Sequence, residues 1–220
     1  MTDSKSRETR NELGVVAATY GRVAARYADK FLNELDGKPL DRALLDVFVA
    51  DVRARGGRVA DLGTGSGQIA RYVNDRGVPA VGIDIAPGMI DEARVRHPGI
   101  PFEAGDFTRL STPDGAFAGL TAFYAIVHLT RAELRPAFAE ARRVLAPGGP
   151  LLLAWHVGDQ TGRPDDFLGD SCPISWNFFP TDAVVAAIES AGLAVEVRVE
   201  RAPYPGEHTS TRGYVMARRR

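Results

Sequence analysis

Residues 59–70, VADLGTGSGQIA, decide the fold of this chain: an apolar run ends at Asp61 and opens into three glycines at alternate positions. The pattern predicts a buried strand that breaks into a nucleotide-binding turn and then enters a helix. Glycine lets the backbone turn sharply and come close to a ligand. Two more acids stand at predicted strand ends, Asp84 after residues 81–83 and Asp106 after Gly105. Three strand ends therefore each offer a carboxylate.

Strand and helix patterns alternate along the chain on both sides of this turn. Such alternation predicts an α/β fold in which helices cover both faces of a mostly parallel sheet. Residues 158–177 are rich in Gly, Asp and Pro and predict a loop. The predicted strands are 58–62, 80–84, 101–104, 117–123, 150–156, 193–200 and 211–217; the predicted helices are 13–35 with a possible break at Gly21, then 40–54, 67–76, 87–96, 131–145 and 181–191.

Length and composition limit the organisation of the chain. With 220 residues, 45% of them hydrophobic and 25% charged, it suits one well-packed domain. We expect a single domain over residues 1–220, with a helical N-terminal cap at 1–57 and a core at 58–220. The single cysteine, Cys172, excludes an intramolecular disulfide and argues against a cysteine-rich zinc site.

Charge and hydropathy indicate the kinds of partner to expect. The formal net charge is −1, so no global positive field gathers nucleic acid or an anionic membrane. The terminal Arg218-Arg219-Arg220 is predicted to be an exposed, solvated tail. The polar N-terminus and the lack of a run of about 18 apolar residues predict a cytoplasmic protein without a membrane partner. We expect a monomer or a homodimer.

The spacing of the glycines argues against a nicotinamide dinucleotide. That ligand favours Gly-x-Gly-x-x-Gly and a helix N-terminus directed at a pyrophosphate. Here Asp61 precedes the first glycine, where it would repel a pyrophosphate and attract an ammonium. A carboxylate at Asp84 can accept hydrogen bonds from two adjacent ribose hydroxyls, which suits a nucleoside without a 2′-phosphate.

The stretch 59–155 closely resembles the class I S-adenosylmethionine-dependent methyltransferases that act on small molecules, of the type found in ubiquinone and menaquinone biosynthesis. The resemblance implies a doubly wound, seven-stranded α/β sheet in the order 3-2-1-4-5-7-6, with the last strand antiparallel. It further implies S-adenosylmethionine as cofactor and S-adenosylhomocysteine as product, with the glycine turn around the methionine part, Asp84 on the ribose and Asp106 at the adenine. The cofactor-binding residues that it implies are Tyr20, Tyr27, Asp61, Gly63, Thr64, Gly65, Gly67, Asp84, Ile85, Met89, Asp106, Phe107 and Phe123.

Two histidines at predicted strand ends are the candidate catalytic residues. His128 follows the fourth strand and His156 closes the fifth, where either can remove a proton from a hydroxyl acceptor. His128 has the alternative of capping the helix at Arg131 or anchoring its loop, and His156 has the alternative of a hydrogen bond to the substrate. The spacing of the two histidines from Asp165 and Asp166 matches no ligand pattern, so we expect no metal. The candidate residues around the acceptor also include Phe123, Tyr124 and Trp155. Further candidates, for which packing in the core is the alternative, are Tyr20, Tyr27, Trp176, Phe178 and Phe179.

These features together favour methyl transfer to a small-molecule acceptor, and the two histidines tilt the choice toward an O-methyltransferase of secondary metabolism. Residues 123–126, FYAI, lack the Pro-Pro-aromatic element of methylases that act on nucleic-acid bases. Two alternatives stay open. One is an enzyme with the same cofactor and a different reaction, and the other is a cofactor-binding module without turnover.

Overall fold

The computed structural model describes residues 2–220, with side chains described from Glu12 onward. Seven strands form one sheet and two short strands pair separately as a hairpin-like arm. The strands are β1 (Val59–Leu62), β2 (Ala80–Asp84), β3 (Phe102–Ala104), β4 (Gly119–Phe123), β5 (Pro150–His156), β6 (Thr161–Gly162), β7 (Trp176–Asn177), β8 (Leu193–Arg201) and β9 (Arg212–Arg219).

The seven-stranded sheet has the order β3-β2-β1-β4-β5-β9-β8. β1 to β5 pair in parallel, whereas β9 runs antiparallel to both β5 and β8. Because β8 and β9 are the sixth and seventh strands of this sheet, the predicted order 3-2-1-4-5-7-6 is confirmed. Successive strands are added to one side of β1 up to β3 and to its other side from β4 onward, and this switch opens a crevice at the carboxyl ends of β1 and β4.

Six α-helices surround the sheet and bury its two faces. Side chains of α2, α3 and α4 pack on one face around Phe48, Ile69 and Ile90. Those of α5 and α6 pack on the other face around Phe138 and Ile188. The helices are α1 (Thr2–Phe31), α2 (Pro39–Arg55), α3 (Gln68–Asn74), α4 (Pro87–Arg96), α5 (Arg131–Val144) and α6 (Thr181–Ser190), with 3-10 turns at Glu34–Gly37 and Ala125–His128.

The predicted break at Gly21 is wrong, because α1 runs without interruption to Phe31. The helix passes close to α4 at this point. A Cβ added at Gly88 of α4 would lie 2.8 Å from the Cα of Gly21, whereas a Cβ added at Gly21 would meet no atom within 4 Å. Gly88 thus lets α1 pack directly on α4, and this contact holds α1 beside the strand ends.

Two further predictions need correction. The segment 158–177 is not wholly irregular, since β6 and β7 pair within it. The arginines at the C-terminus do not form a solvated tail, because β9 extends through Arg219. Arg218 lies 2.8 Å from Asp51 and 2.6 Å from Glu196, so its cation is used to tie β9 to α2 and β8. Among residues 2–220, no helix combines the length and the apolarity that crossing a membrane demands.

Candidate active site

A cavity of about 650 Å³ opens at the carboxyl ends of β1, β2, β4 and β5. This volume falls within the range of about 300–1,000 Å³ that small-molecule sites occupy. Side chains of α1 and of the segment 158–177 cover one side, and the connection 202–211 between β8 and β9 closes the other. Of the residues predicted from the sequence, the cavity is lined by Tyr20, Tyr27, Gly63, Gly65, Asp84, Ile85, Met89, Asp106, Phe107, Phe123, His128 and His156.

The turn after β1 requires its glycines. Gly63 has φ of 67°, and a Cβ there would lie 2.6 Å from the Cβ of Ala125. Gly65 has φ of 52°, and a Cβ there would lie 3.3 Å from the Cε1 atom of Tyr27. Both angles are in the left-handed region that favours glycine. The turn therefore presents bare backbone to the cavity beneath the Tyr27 ring.

Two carboxylates line the cavity at successive strand ends. Asp84 accepts hydrogen bonds from the backbone N–H groups of Gly65 and Ala86, each at 2.9 Å. Burial raises the pKa of Asp84, because the charged carboxylate loses water. Asp106 accepts bonds from the N–H and the hydroxyl of Thr108, at 2.8 Å and 2.6 Å. Each carboxylate is held rigidly and retains acceptor capacity for a ligand, since an ionised carboxylate offers about four lone-pair sites.

His128 and Tyr20 form a hydrogen-bonded pair on the cavity wall. The Nε2 atom of His128 lies 3.0 Å from the Tyr20 hydroxyl, and its Nδ1 lies 3.1 Å from the carbonyl oxygen of Ser175. Burial lowers the pKa of His128 to about 4, so its ring is neutral near pH 7. Since a carbonyl can only accept, Nδ1 carries the proton and Nε2 accepts from Tyr20. Thr130 and Glu133 cap α5, so His128 does not cap that helix.

Aromatic rings extend this wall. The Tyr20 ring lies edge-on to Tyr27 and to Phe167, with centroid distances of 6.0 Å and 5.7 Å. Phe167 lies 5.2 Å from Trp176 in the same geometry. Edge-to-face contacts of this kind order the rings. Trp176 thus lines the cavity as predicted for the acceptor side, whereas Phe179 packs in the core.

The far end of the cavity is polar and was largely missed by the sequence analysis. His156 is stacked on Phe178 with 5.0 Å between ring centroids. Tyr124 holds the left-handed backbone conformation at φ of 58°, a strained state for this residue that is common at functional sites. No local pattern marks the additional residues, because the connection 202–211 reaches the cavity only through the pairing of β9 with β5. They are Glu34, Lys38, Tyr204, Glu207, His208 and Arg212.

Buried ion pairs support this polar end. The ammonium of Lys38 lies 2.5 Å from Glu34 and 3.3 Å from Glu207. Burial disfavours the charged form of Glu207, yet hydrogen bonds from Arg201 lower its pKa to about 2. Arg201 also lies 3.1 Å from Asp41, whose side chain is 1% exposed. The charges at this end are therefore paired rather than free.

Six predicted residues lie outside the cavity lining: Phe178 and Phe179, and also Asp61, Thr64, Gly67 and Trp155. Asp61 is 1% exposed, and its two oxygens accept bonds from Thr64 and Thr121 at 2.6 Å and 2.8 Å. Burial raises the pKa of Asp61 to about 6. Gly67 faces Phe102 and His97 instead, and Trp155 is buried with its indole N–H donating to the carbonyl of Phe179 at 3.0 Å. Asp61 and Thr64 thus stabilise the glycine turn after β1 from its buried side. This corrects the expectation that Asp61 contacts an ammonium group of the ligand directly.

The sequence profile of a family described as a methyltransferase domain matches residues 59–149. The demethylmenaquinone methyltransferase of Beutenbergia cavernae is 34% identical over 140 residues, which cover 63% of this chain and 57% of that protein. Residues 59–149 are thus similar to a methyltransferase domain, as the resemblance to the class I, S-adenosylmethionine-dependent enzymes implies. S-adenosylmethionine is the cofactor of this class, and Asp84, Asp106 and the glycine turn supply a suitable set of acceptors and bare backbone for it. The chain matches little more than half the length of that curated relative.

Solved structures share the fold of this chain. The structure of DhpI in complex with S-adenosylhomocysteine superimposes with a TM-score of 0.74 at 19% identity, covering 94% of this chain and 97% of that one. The [4+2]-cyclase SpnF superimposes with a TM-score of 0.66 at 20% identity, covering 91% and 97%. Identities this low establish the fold alone, and the presence of a cyclase among the matches shows that the fold does not determine the reaction.

Proposed function

We propose that the chain transfers a methyl group from S-adenosylmethionine to an oxygen atom of a small-molecule acceptor of secondary metabolism. The cofactor supplies an already activated methyl group, so the protein has mainly to align the two partners and exclude water. The observation that carries the proposal is the Tyr20–His128 pair on the wall of the cavity, beside the residues suited to the cofactor.

The cofactor's place follows from the chemistry of the lining. Asp84 suits the ribose hydroxyls, because it is a rigid acceptor whose oxygens each have capacity for one more bond. Phe107 and Asp106 suit the adenine, which has an apolar face and a donor edge. Gly63 and Gly65 leave room for the methionine part against bare backbone. Tyr27 and Met89 complete the cover over this part of the cavity.

The Tyr20–His128 pair can take up the proton that the hydroxyl of the acceptor loses. Burial raises the pKa of Tyr20, so its phenol stays protonated and donates to Nε2 of His128. The phenol oxygen can then accept the acceptor's hydroxyl. As the acceptor oxygen gains its methyl group, its proton passes to the Tyr20 oxygen and the phenolic proton passes to His128. His128 thus acts as a base through Tyr20, and its neutral form is available throughout the neutral pH range.

A carbon acceptor is the second candidate. The relative from Beutenbergia cavernae is named for demethylmenaquinone, and its similarity extends over 63% of this chain. The aromatic wall of Tyr20, Phe167 and Trp176 suits the flat ring of either a phenol or a quinone. The two candidates differ in the atom that receives the methyl group, so the product distinguishes them.

The test is an acceptor screen with methyl-labelled S-adenosylmethionine, read by product mass and by NMR of the labelled methyl group. We expect an O-methyl signal together with S-adenosylhomocysteine. Tyr20→Phe and His128→Asn should each lower kcat by about 10² or more, the usual contribution of proton transfer by a positioned group, and leave cofactor affinity unchanged. Tyr72→Phe is the matched control, since Tyr72 bonds Asp46 at 2.9 Å outside the cavity.

Three results would contradict the proposal. A label on carbon would replace the oxygen acceptor with the second candidate. Cofactor consumption or binding without any methylated product would favour the alternative of a different reaction. Equal kcat values for Tyr20→Phe, Tyr72→Phe and the wild type would remove Tyr20 from the proton path.

A further inference from the structure

Two imidazoles meet at the polar end of the cavity. His156 closes β5, and His208 comes from the connection between β8 and β9. Their ring centroids lie 5.6 Å apart with the planes at 80°. Both also contact Phe178, which stacks on His156 and lies edge-on to His208 at 5.4 Å. The connection therefore delivers His208 to a fixed position beside His156.

The hydrogen bonds around Ser210 assign the proton of each ring. The backbone N–H of Ser210 donates to Nδ1 of His208 at 3.2 Å, so that atom is unprotonated and Nε2 carries the proton. Arg212 donates to the Ser210 hydroxyl oxygen at 2.8 Å. The Ser210 hydroxyl lies 2.7 Å from Nδ1 of His156 and 3.1 Å from Nδ1 of His208, and we assign its single proton to the shorter contact, with His156. His156, like His208, is left with its proton on Nε2.

Both Nε2–H groups lack an acceptor from the protein. Within the part of the chain that the structure describes, neither Nε2 atom has a hydrogen-bond partner, that of His156 is not enclosed by the protein, and His208 is an exposed residue. Both residues line the cavity. Polar groups in sheltered sites are nearly always hydrogen-bonded. We therefore expect a ligand to supply the acceptors that these two adjacent N–H donors lack.

The surroundings favour a negative partner. Burial lowers the pKa of His156 to about 3, with Arg212, His208 and Lys38 adding to the effect, so the ring remains a neutral donor. The Arg212 side chain is buried, its Nε has no partner among the described residues, and its other nitrogens bond the carbonyl oxygens of Ser210 and His208. The nearby acid Glu207 lies 2.6 Å from Arg201, 3.3 Å from Lys38 and 3.8 Å from Arg212, so its charge is shared among three cations. An anionic group at the two imidazoles would therefore meet their two donors and a guanidinium whose Nε is unpaired among the described residues.

We propose that the methyl acceptor carries a carboxylate group, and that the Nε2–H groups of His156 and His208 bind it. A carboxylate presents two oxygens to two donors, which matches the pair. This inference rests on the proposed function, because it places the acceptor in the same cavity. It makes His156 a specificity-determining donor in place of the base expected from the sequence.

The cofactor also carries a carboxylate, so position has to separate the two sources. The methionine part carries that carboxylate and is expected at the glycine turn after β1, whereas His156 lies at the end of β5, two strands further along the sheet. At about 4.8 Å per strand this is about 10 Å. The acceptor is expected beyond the ends of β4 and β5, so we assign the imidazole pair to the acceptor's carboxylate.

Calorimetry with matched probes tests the assignment. Wild-type protein saturated with S-adenosylhomocysteine is titrated with benzoate and with benzamide, which differ in charge but hardly in shape. We expect benzoate to bind at least about tenfold more tightly, because each hydrogen bond to a charged group contributes about tenfold to a hundredfold. His156→Phe and His208→Phe should each abolish most of that preference without changing the affinity for S-adenosylhomocysteine. Arg198→Gln is the control, since this cation pairs with Asp182 outside the cavity lining.

Each of the other outcomes contradicts either the carboxylate assignment or the proposed function. Equal affinity of wild-type protein for the two probes, or binding of neither, would overturn the carboxylate assignment while leaving the proposed function in place. Weaker binding of S-adenosylhomocysteine to His156→Phe would move the carboxylate to the cofactor. His208 is an exposed residue, so His208→Phe keeps the test valid if His156→Phe fails to fold. Failure of wild-type protein to bind S-adenosylhomocysteine would instead reject the proposed function itself.

Discussion

Replacing Asp84 by Ala should weaken binding of S-adenosylmethionine and S-adenosylhomocysteine by about 10-fold to 100-fold. A hydrogen bond to a charged group is worth about 1.5–3 kcal/mol. Each oxygen of Asp84 already accepts one backbone N–H at 2.9 Å, so the carboxylate is partly neutralised before a ribose arrives. We therefore take a net loss of about 1.4–2.8 kcal/mol, which corresponds to the stated range.

The variant also leaves the N–H groups of Gly65 and Ala86 without their acceptor, which costs about 1–3 kcal/mol of folding stability. Calorimetric titration should thus be run well below the melting temperature of the variant. Asp84→Asn, which retains one acceptor oxygen, should give an intermediate affinity. Asp91→Ala is the matched control, because this exposed carboxylate of α4 pairs only with Arg94 on the surface. An affinity of Asp84→Ala within twofold of wild type, in a folded protein, would refute the role of Asp84.

Two further predictions concern stability. Arg201→Met should reduce the free energy of unfolding by about 3–5 kcal/mol, because it leaves the buried carboxylate of Asp41 without its cation. In urea titration, the exposed control Arg198→Met should lose at most about 1 kcal/mol. Similar losses for both variants would contradict the buried pairing. The pKa of Asp61, raised to about 6, gives stability that is complete below about pH 4 and is lost as pH rises through 6. Asp61→Asn should therefore gain about 3 kcal/mol relative to wild type between about pH 4 and 7, and a constant difference across that range would exclude Asp61 as the titrating group.

The central part of the fold could be read from local patterns. The bounds of β2, α4 and β5 agree with the sequence prediction residue for residue. Burial of parallel strands on both faces requires apolar runs, and the turn after β1 requires glycine, so both leave a mark in a short window of sequence. The break predicted at Gly21 was wrong because a glycine inside a continuous helix looks the same in the sequence as one that ends a helix.

The candidate site also has some features that local sequence patterns predict and others that depend on distant parts of the chain. Asp84 and Asp106 follow strands at a regular pitch, so their place on the cavity edge could be expected. The burial of Asp61 could not, because its hydrogen bond to Thr121 joins residues 60 positions apart. Likewise, the tautomer of His128 depends on Ser175 and Tyr20, which lie far from it in the chain. Side-chain roles of this kind depend on the partners that the fold supplies.

The sequence by itself determined the α/β class, the order of strands and helices, the glycine turn and the two acids suited to a nucleoside, because each of these follows from periodicity or spacing within a few residues. Only the tertiary structure decided the polar end of the cavity, where Lys38, His156, His208 and Arg212 converge. They meet because β9 pairs antiparallel with β5 and folds the 202–211 connection over the strand ends. Pairing between strands that are distant in the sequence depends on the whole chain, so no local sequence pattern predicts it.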